Sequence, residues 1–95
     1  MKLISVEKSP NSAKKWRATF EEQDGHQKHT DFGDSSMKDY TQHHNELRKA
    51  SYQARHHKDL QTRDPTRAGY LSWYILWNKP TLQASISDYK KRFNL

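Results

Sequence analysis

The pattern of apolar residues changes from strand-like to helix-like near residue 35, and this change restricts the chain to a mixed fold. Along residues 15–22 apolar and polar side chains alternate, so that Trp16, Ala18 and Phe20 fall on one face of a strand. Residues 3–8 form an earlier strand-like segment, separated by a Pro-Asn-Ser turn. The first third of the chain therefore predicts β-structure.

A second turn at Gln23-Asp24-Gly25 predicts a hairpin into a third strand, and the loop length sets its register. A two-residue loop would place Phe32 opposite Arg17. A three-residue loop with Gly25 in the left-handed conformation places Trp16 opposite Phe32 and Arg17 opposite Asp31. We favour the second register because it pairs aromatic with aromatic and opposite charges with each other.

Helical signals begin after Gly33-Asp34. Ser36 with Asp39 three residues later is an acidic variant of a capping box, and a long first helix is expected to run to about Leu60. On a helical wheel the predicted inner stripe consists of Tyr40, Leu47, Ala50 and Ala54. The adjoining sector is basic, with one aromatic residue inside it, and consists of Arg48, Lys49, Tyr52, Arg55 and His56.

Two further helices are expected. Asp64-Pro65 resembles an N-cap followed by proline at the first helical position, and the segment through Trp77 is apolar nearly all round, as in a buried helix. Asn78-Lys79-Pro80 ends it, and a third helix follows. On that helix one face carries Leu82, Ile86, Tyr89 and Phe93.

The predicted fold is α+β, with an N-terminal three-stranded antiparallel β-meander packed against three C-terminal helices. We expect a single domain spanning residues 1–95, divided into the meander at 1–34 and a helical, basic part at 35–95. The eleven aromatic residues (three Trp, five Tyr and three Phe) supply much of the core, although only 32% of the residues are hydrophobic.

The net charge of +6 lies entirely in the helical part. Residues 1–34 hold six basic and six acidic side chains, whereas residues 35–95 hold eleven and five. Segregated positive charge favours a polyanionic partner, and nucleic acid, DNA in particular, is the expected one. Phosphate contacts are predicted for Arg48, Lys49, Arg55, Lys90, Lys91 and Arg92, with Arg63 and Arg67 as second-rank candidates. Tyr52 is predicted to touch sugar or base from within the basic sector.

The polar segment around Asp64 has two interpretations. In one, Arg63, Arg67 and Thr66 face a phosphate at the N-terminus of the second helix. In the other the segment is structural, with Asp64 capping that helix and Asp59 pairing with Arg55.

Several chemistries are excluded or disfavoured by composition. The chain has no cysteine, so disulfides, thiolate zinc sites and cysteine nucleophiles are absent. We expect no cofactor and no metal, because His43 and His57 would lie about 21 Å apart on one continuous helix, and His26 and His29 have no evident further ligands. We expect no enzymatic activity and assign no catalytic residue. The alternative is a small metal-free nuclease, in which His56 or His57 would combine with Asp59 or Asp64 and a Ser or Thr.

No apolar run of about 18 residues occurs, and Glu7 interrupts the first apolar residues before a secretory segment forms. An intracellular location without membrane insertion is therefore expected, in a virion or in the nucleus or cytoplasm of a host. The viral setting rests on a resemblance.

The string Asp-Pro-Thr-Arg-Ala-Gly-Tyr-Leu-Ser-Trp-Tyr-Ile-Leu-Trp-Asn-Lys-Pro at residues 64–80, with Asp39-Tyr40-Thr41 before it and Asp88-Tyr89-Lys90 after it, resembles an uncharacterised family of small basic proteins. Members of that family are encoded by large nucleocytoplasmic DNA viruses and by some algae and other protists. The resemblance covers about residues 31–93. It implies a role around viral DNA replication, genome packaging or virion assembly, and implies no particular site residue.

Two functions rank above the nuclease alternative. One is a sequence-tolerant nucleic-acid-binding protein, with double-stranded DNA as the first choice. The other is a virion-structural or protein–protein interaction module that docks onto an acidic viral or host protein and uses an open edge of the first or third strand.

Overall fold

A computed structural model describes all residues 1–95, and its first third is a three-stranded antiparallel sheet in the order β1-β2-β3. The strands are β1 (Lys2–Lys8), β2 (Lys14–Glu21) and β3 (Gln27–Asp34). The helices are α1 (Tyr40–His43), α2 (Glu46–His56), α3 (Ala68–Leu71) and α4 (Leu82–Phe93), with a 3₁₀ segment (His57–Thr62) after α2 and a π-helical turn (Ser72–Leu76) after α3. The predicted α+β class is confirmed.

The β2–β3 hairpin adopts the favoured register. Gly25 has φ +87°, and its N–H donates to the Glu22 carbonyl at 3.0 Å. This left-handed residue closes the three-residue loop, as glycine can without a steric penalty. Trp16 then lies opposite Phe32, and Arg17 lies opposite Asp31.

Strand β1 departs from strict alternation. The register shifts between Leu3 and Ser5, so that Leu3 pairs with Phe20 and Val6 pairs with Ala18. A bulge of this kind inserts one residue and lets two apolar side chains three positions apart face the same side. Ile4 is the extra residue and remains 48% exposed.

The prediction of one long first helix from Ser36 to Leu60 was wrong. The helix begins at Tyr40, because the Asp39 carboxylate accepts from the N–H of Thr41 and the Gln42 side chain bonds back to the Asp39 N–H. It ends after one turn at His44, whose φ of 54° is left-handed. Asn45 then caps α2 by accepting from two backbone N–H groups.

This interruption also overturns the predicted inner stripe. Because α1 and α2 are separate helices, the position of Tyr40 on α1 does not determine which face of α2 points inward. Leu47 is 80% exposed, and Ala50 and Ala54 are exposed as well. Tyr52, placed by the wheel in the solvent-facing sector, is instead the buried residue of α2.

The second helix starts later than predicted. Asp64 is not its N-cap: its carboxylate accepts from the N–H and the hydroxyl of Thr66, which closes a separate turn. Arg67 is the N-cap of α3. The π-helical turn follows, with the Trp77 N–H donating to the Ser72 carbonyl at 3.1 Å.

The core lies between the sheet and the α3–π segment. Phe20 and Phe32 from the sheet meet Ile75 and Leu76, and α4 adds Tyr89, which is completely buried. The Tyr89 hydroxyl donates to the Pro65 carbonyl at 2.5 Å. The apolar face predicted for α4 is confirmed, since all four of its residues pack against this core. None of the helices has the length and apolar character needed to span a bilayer.

Candidate nucleic-acid interface

A column of stacked rings joins α2 to the end of the π-helical turn. Tyr52 stacks on His56 at 4.2 Å and on Trp77 at 4.3 Å, with interplanar angles of 18° and 3°. The centre of the His43 ring lies 5.3 Å from the centre of the Trp77 ring. Burial, with a further contribution from nearby Asp59, raises the pKa of Tyr52 to about 12, so its phenol stays neutral.

An inner cleft of about 280 Å³ opens beside this column. Its walls come from the start of β2, the end of β3, the loop before α1, and the α2 and α3 helices. Its charged residues are three lysines and three aspartates, namely Lys14, Lys15, Lys38, Asp34, Asp39 and Asp59. The cleft itself is therefore close to electrically balanced.

Most of the inner polar groups are already paired. Lys15 Nζ lies 2.6 Å from the buried carboxylate of Asp39 and 2.7 Å from Gln42 Oε1. His56 Nδ1 lies 2.9 Å from Asp59 Oδ2. The prediction that Asp59 pairs with Arg55 was wrong. Asp59 follows α2 in the 3₁₀ segment, and its carboxylate lies beside His56 instead.

A second, outer cleft of about 470 Å³ adjoins the first, and the two share Met37 and Trp77 as lining residues. Arg48 and Arg55 lie along it. They are seven residues apart on α2, which places them on one side of the helix about 10 Å apart along its axis. No acidic residue lines this cleft.

The basic residues at the rims are free of ion pairs. Of the seventeen lysines and arginines, only Lys15, Arg17 and Arg92 form one. Lys14 and Lys38 on the inner cleft and Arg48 and Arg55 on the outer cleft consequently keep their charges available; we call these four the rim cations. All four side chains belong to exposed residues.

Arg48 and Arg55 lie where the sequence placed them, whereas Lys49 and Tyr52 do not. Lys49 turns inward: its Nζ donates to the Asn78 carbonyl at 2.8 Å and lies 4.8 Å from the centre of the Tyr40 ring. Tyr52 is only 7% exposed. The rings of His56 and Trp77 already cover both faces of the Tyr52 ring, on which a base would otherwise stack.

The basic end of α4 does not join the clefts. Lys90 and Lys91 are exposed, but no residue of α4 lines either cleft. Arg92 pairs with Asp88 at 3.3 Å and lies over the Tyr74 ring. Asp88 also accepts from Asn78 Nδ2 at 2.7 Å, which ties α4 to the segment after the π-helical turn.

The phosphate site predicted around Thr66 is occupied by the protein's own groups. Thr66 is buried, its hydroxyl donates to Asp64 at 2.7 Å and accepts from Lys28 Nζ at 2.8 Å. Hydrogen bonds from Thr66 lower the pKa of Asp64, which keeps the carboxylate charged. Arg63 and Arg67 are exposed beside this segment. Its hydrogen bonds are structural, but they join Asp64, Thr66 and Lys28 and are neither the helix cap nor the Asp59–Arg55 pair that the sequence suggested.

One group of possible metal ligands lies on the β2–β3 hairpin. Ligand atoms of Glu22, Asp24 and His26 lie within 4.8 Å of one another, and all three residues are exposed. His29 does not join them, because its Nδ1 bonds the Thr19 hydroxyl at 3.0 Å. The Asp24–His26 contact serves the turn, since Asp24 also accepts from the His26 N–H.

Residues 4–56, more than half of the chain, match a family profile described as "Family of unknown function (DUF5754)". The chain belongs to this family. No curated protein and no solved structure matches it. The DUF5754 match runs from β1 to the end of α2 and contains all four rim cations. Arg63, Arg67 and the basic residues of α4 lie outside it, as does the string at 64–80 that carried the sequence resemblance.

The sequence pattern missed two rim cations, Lys14 and Lys38. Neither belongs to a periodic basic stripe, since one opens a strand and the other lies in the loop before α1. Only the fold brings them beside α2. The one available signal was the uninterrupted Lys14-Lys15 pair at the start of a strand.

Proposed function

We propose that this DUF5754 protein binds nucleic acid through the rim cations, in a sequence-tolerant manner. The observation that supports the proposal best is the set of four unpaired cations along two adjoining clefts. They come from a strand, a loop and a helix, and they face two concave surfaces that share Trp77. Such an arrangement suits a phosphate backbone, whose charge does not depend on the base sequence.

The setting is also a proposal. The resemblance of residues 64–80 to proteins of large DNA viruses supports a role in viral genome packaging or replication. We infer that binding is non-enzymatic. The His56–Asp59 pair has the composition of part of a hydrolytic site, but the structure places no nucleophile in hydrogen-bond contact with it.

The test is a fluorescence-anisotropy titration with a 12-nucleotide labelled DNA at about 50 mM salt, repeated up to 200 mM. Four phosphate contacts predict a slope of log K against log salt of about −3 to −4. The double substitution Arg48→Glu/Arg55→Glu should reduce the magnitude of this slope by about 2 and weaken binding at least tenfold.

The matched control is Lys90→Glu/Lys91→Glu, which changes the net charge by the same amount on exposed residues outside the clefts. It should weaken binding much less, because screening at these salt concentrations limits a charge to its neighbourhood. Equal losses in the two variants would mean that net charge, and not the rim, drives binding. No binding at about 50 mM salt would refute the proposal.

A second candidate, docking onto an acidic protein, is favoured by one observation. Leu47 is 80% exposed and Met37 is 46% exposed, and both line the outer cleft beside Arg48 and Arg55. An apolar pair next to two arginines suits an acidic segment with an apolar anchor. Leu47→Ser should abolish co-purification of such a partner and leave DNA affinity unchanged. If the protein binds nucleic acid alone, the substitution should not change which proteins co-purify with it.

The sheet edges offer less to such a partner than the sequence suggested. On β1 the Leu3 N–H already donates to the Leu95 carbonyl at 3.0 Å. Beside β3, the Thr30 hydroxyl donates to the Thr66 carbonyl at 2.9 Å.

A further inference from the structure

We propose that the inner cleft takes one unpaired base, so that the preferred ligand is single-stranded nucleic acid and not a duplex. This inference rests on the proposed function and specifies its ligand. The rims carry unpaired cations, whereas the less exposed ionisable groups of the inner cleft are already paired, Lys15 with Asp39 and His56 with Asp59.

Charge balance argues against a phosphate inside the cleft. Asp34, Asp39 and Asp59 all line it, and two of its interior cationic or ionisable groups, Lys15 and His56, already serve aspartates. Inside the cleft a phosphate would meet the carboxylates of Asp39 and Asp59, whose own partners Lys15 and His56 are already engaged, because the unpaired Lys14 and Lys38 are exposed residues at its rim. A neutral group faces no such repulsion, and the backbone that carries it can remain on Lys14 and Lys38 at the rim.

The remaining hydrogen-bonding groups suit a base edge. Within the chain, Asp59 Oδ1 and His56 Nε2 have no hydrogen-bond partner, although the two side chains are 32% and 41% exposed. In the neutral tautomer of His56 that donates from Nδ1 to Asp59, both of these atoms accept. Phosphate oxygens also only accept, whereas the exocyclic amines of nucleobases donate. Tyr52, Trp77 and Leu76 supply apolar lining for the rest of the base.

A duplex cannot deliver a base without unpairing it, which costs a few kcal/mol. The concave shape of the two clefts also matches a single flexible strand, with phosphates on the rim and one base turned inward. The duplex preference expected from the sequence is thereby replaced by a preference for unpaired strands, overhangs or gaps.

The experiment compares three 12-residue DNA ligands by anisotropy: a single strand, the same strand in a duplex, and a strand of abasic sugar phosphates. The hydrogen bonds from one base edge to Asp59 and His56 contribute about 1 to 3 kcal/mol, or roughly 5- to 150-fold in affinity. The single strand should therefore bind at least fivefold more tightly than the other two ligands. Its salt slope should match that of the abasic strand, because both make the same phosphate contacts.

Two serine variants locate the effect. Ser72→Leu fills the inner cleft, and Ser51→Leu adds the same side chain to the outer cleft. Ser72→Leu should bind all three ligands with the affinity of the abasic strand, while Ser51→Leu should keep the single-strand preference. Should Ser72→Leu fail to fold, a rise in the fluorescence of a 2-aminopurine base in the single strand, as the base leaves the stack of its neighbours, provides the same test on the unmodified protein; the same base in the duplex should show no rise.

The outcomes separate the two proposals. Equal affinity for single, abasic and duplex ligands, or unchanged 2-aminopurine fluorescence, would overturn the base-binding cleft and leave nucleic-acid binding intact. Absence of binding to all three ligands would refute both.

Discussion

Alanine substitutions at Gly25 and Gly33 separate the cost of a left-handed backbone from the cost of overpacking the core. Both glycines have a left-handed conformation, with φ of +84° and +87°. A Cβ at Gly33 would lie 2.7 Å from Leu76 Cδ1 and 3.3 Å from Lys15 Cβ, whereas a Cβ at Gly25 would meet nothing within 4 Å. Leu76 is only 1% exposed, so it has little room to move away.

The two alanine substitutions should therefore differ in cost. Gly25→Ala carries only the left-handed penalty of about 1 to 2 kcal/mol. Gly33→Ala adds an overpacking cost of about 1 to 3 kcal/mol against Leu76, for a total of about 2 to 5 kcal/mol. Urea unfolding followed by tryptophan fluorescence measures both. A Gly33→Ala variant no less stable than Gly25→Ala would show that the sheet and the π-helical turn are not packed as closely as described.

Three further predictions concern the helix contacts. Tyr89→Phe removes the donor to the Pro65 carbonyl and should cost about 1 to 3 kcal/mol in urea unfolding, with unchanged affinity for nucleic acid; a neutral effect would contradict the buried hydrogen bond. Asn45→Ala removes the cap of α2 and should cost about 1 kcal/mol, measured by thermal unfolding, where Asn45→Gly should cost only a few tenths. Burial, together with nearby Arg48, lowers the pKa of His43 below its usual 6.5, so the unfolded chain binds the proton more tightly and stability should fall as pH drops below about 6.5; a His43→Gln variant should lose this slope, and an unchanged slope would exclude His43 as its source.

The sheet could be predicted from sequence because its information is local. Alternation along β2 and the single glycine of the β2–β3 turn determined both face and register. The β1 bulge could not be predicted, since nothing in residues 2–8 shows that Ile4 rather than Leu3 faces solvent. That choice depends on which residue meets Phe20 across the ladder.

The helices were harder to predict because their ends depend on competing caps. Ser36 and Asp64 both had the composition of an N-cap, but Asp39 and Arg67 start the helices. His44 in a left-handed conformation carries no distinctive signal in the sequence. The break at His44 was not predicted, so the helical wheel gave α2 the wrong orientation. For this reason Lys49 and Tyr52 were assigned to the surface.

The candidate interface was predictable only in part. Arg48 and Arg55 repeat at helical spacing, so the wheel found them even with the wrong inner stripe. Lys14 and Lys38 are brought to the adjoining inner cleft by tertiary structure alone. Lys90 and Lys91 are basic as well but line neither cleft.

Nucleic-acid binding at the rim is tested most directly by backbone amide chemical shifts recorded by NMR while a 12-nucleotide single strand is added. The account predicts that the largest changes fall at residues 36–38, along Arg48 to Arg55 and at the indole N–H of Trp77. Changes confined to the C-terminal end of α4, or none at all at about 50 mM salt, would contradict it.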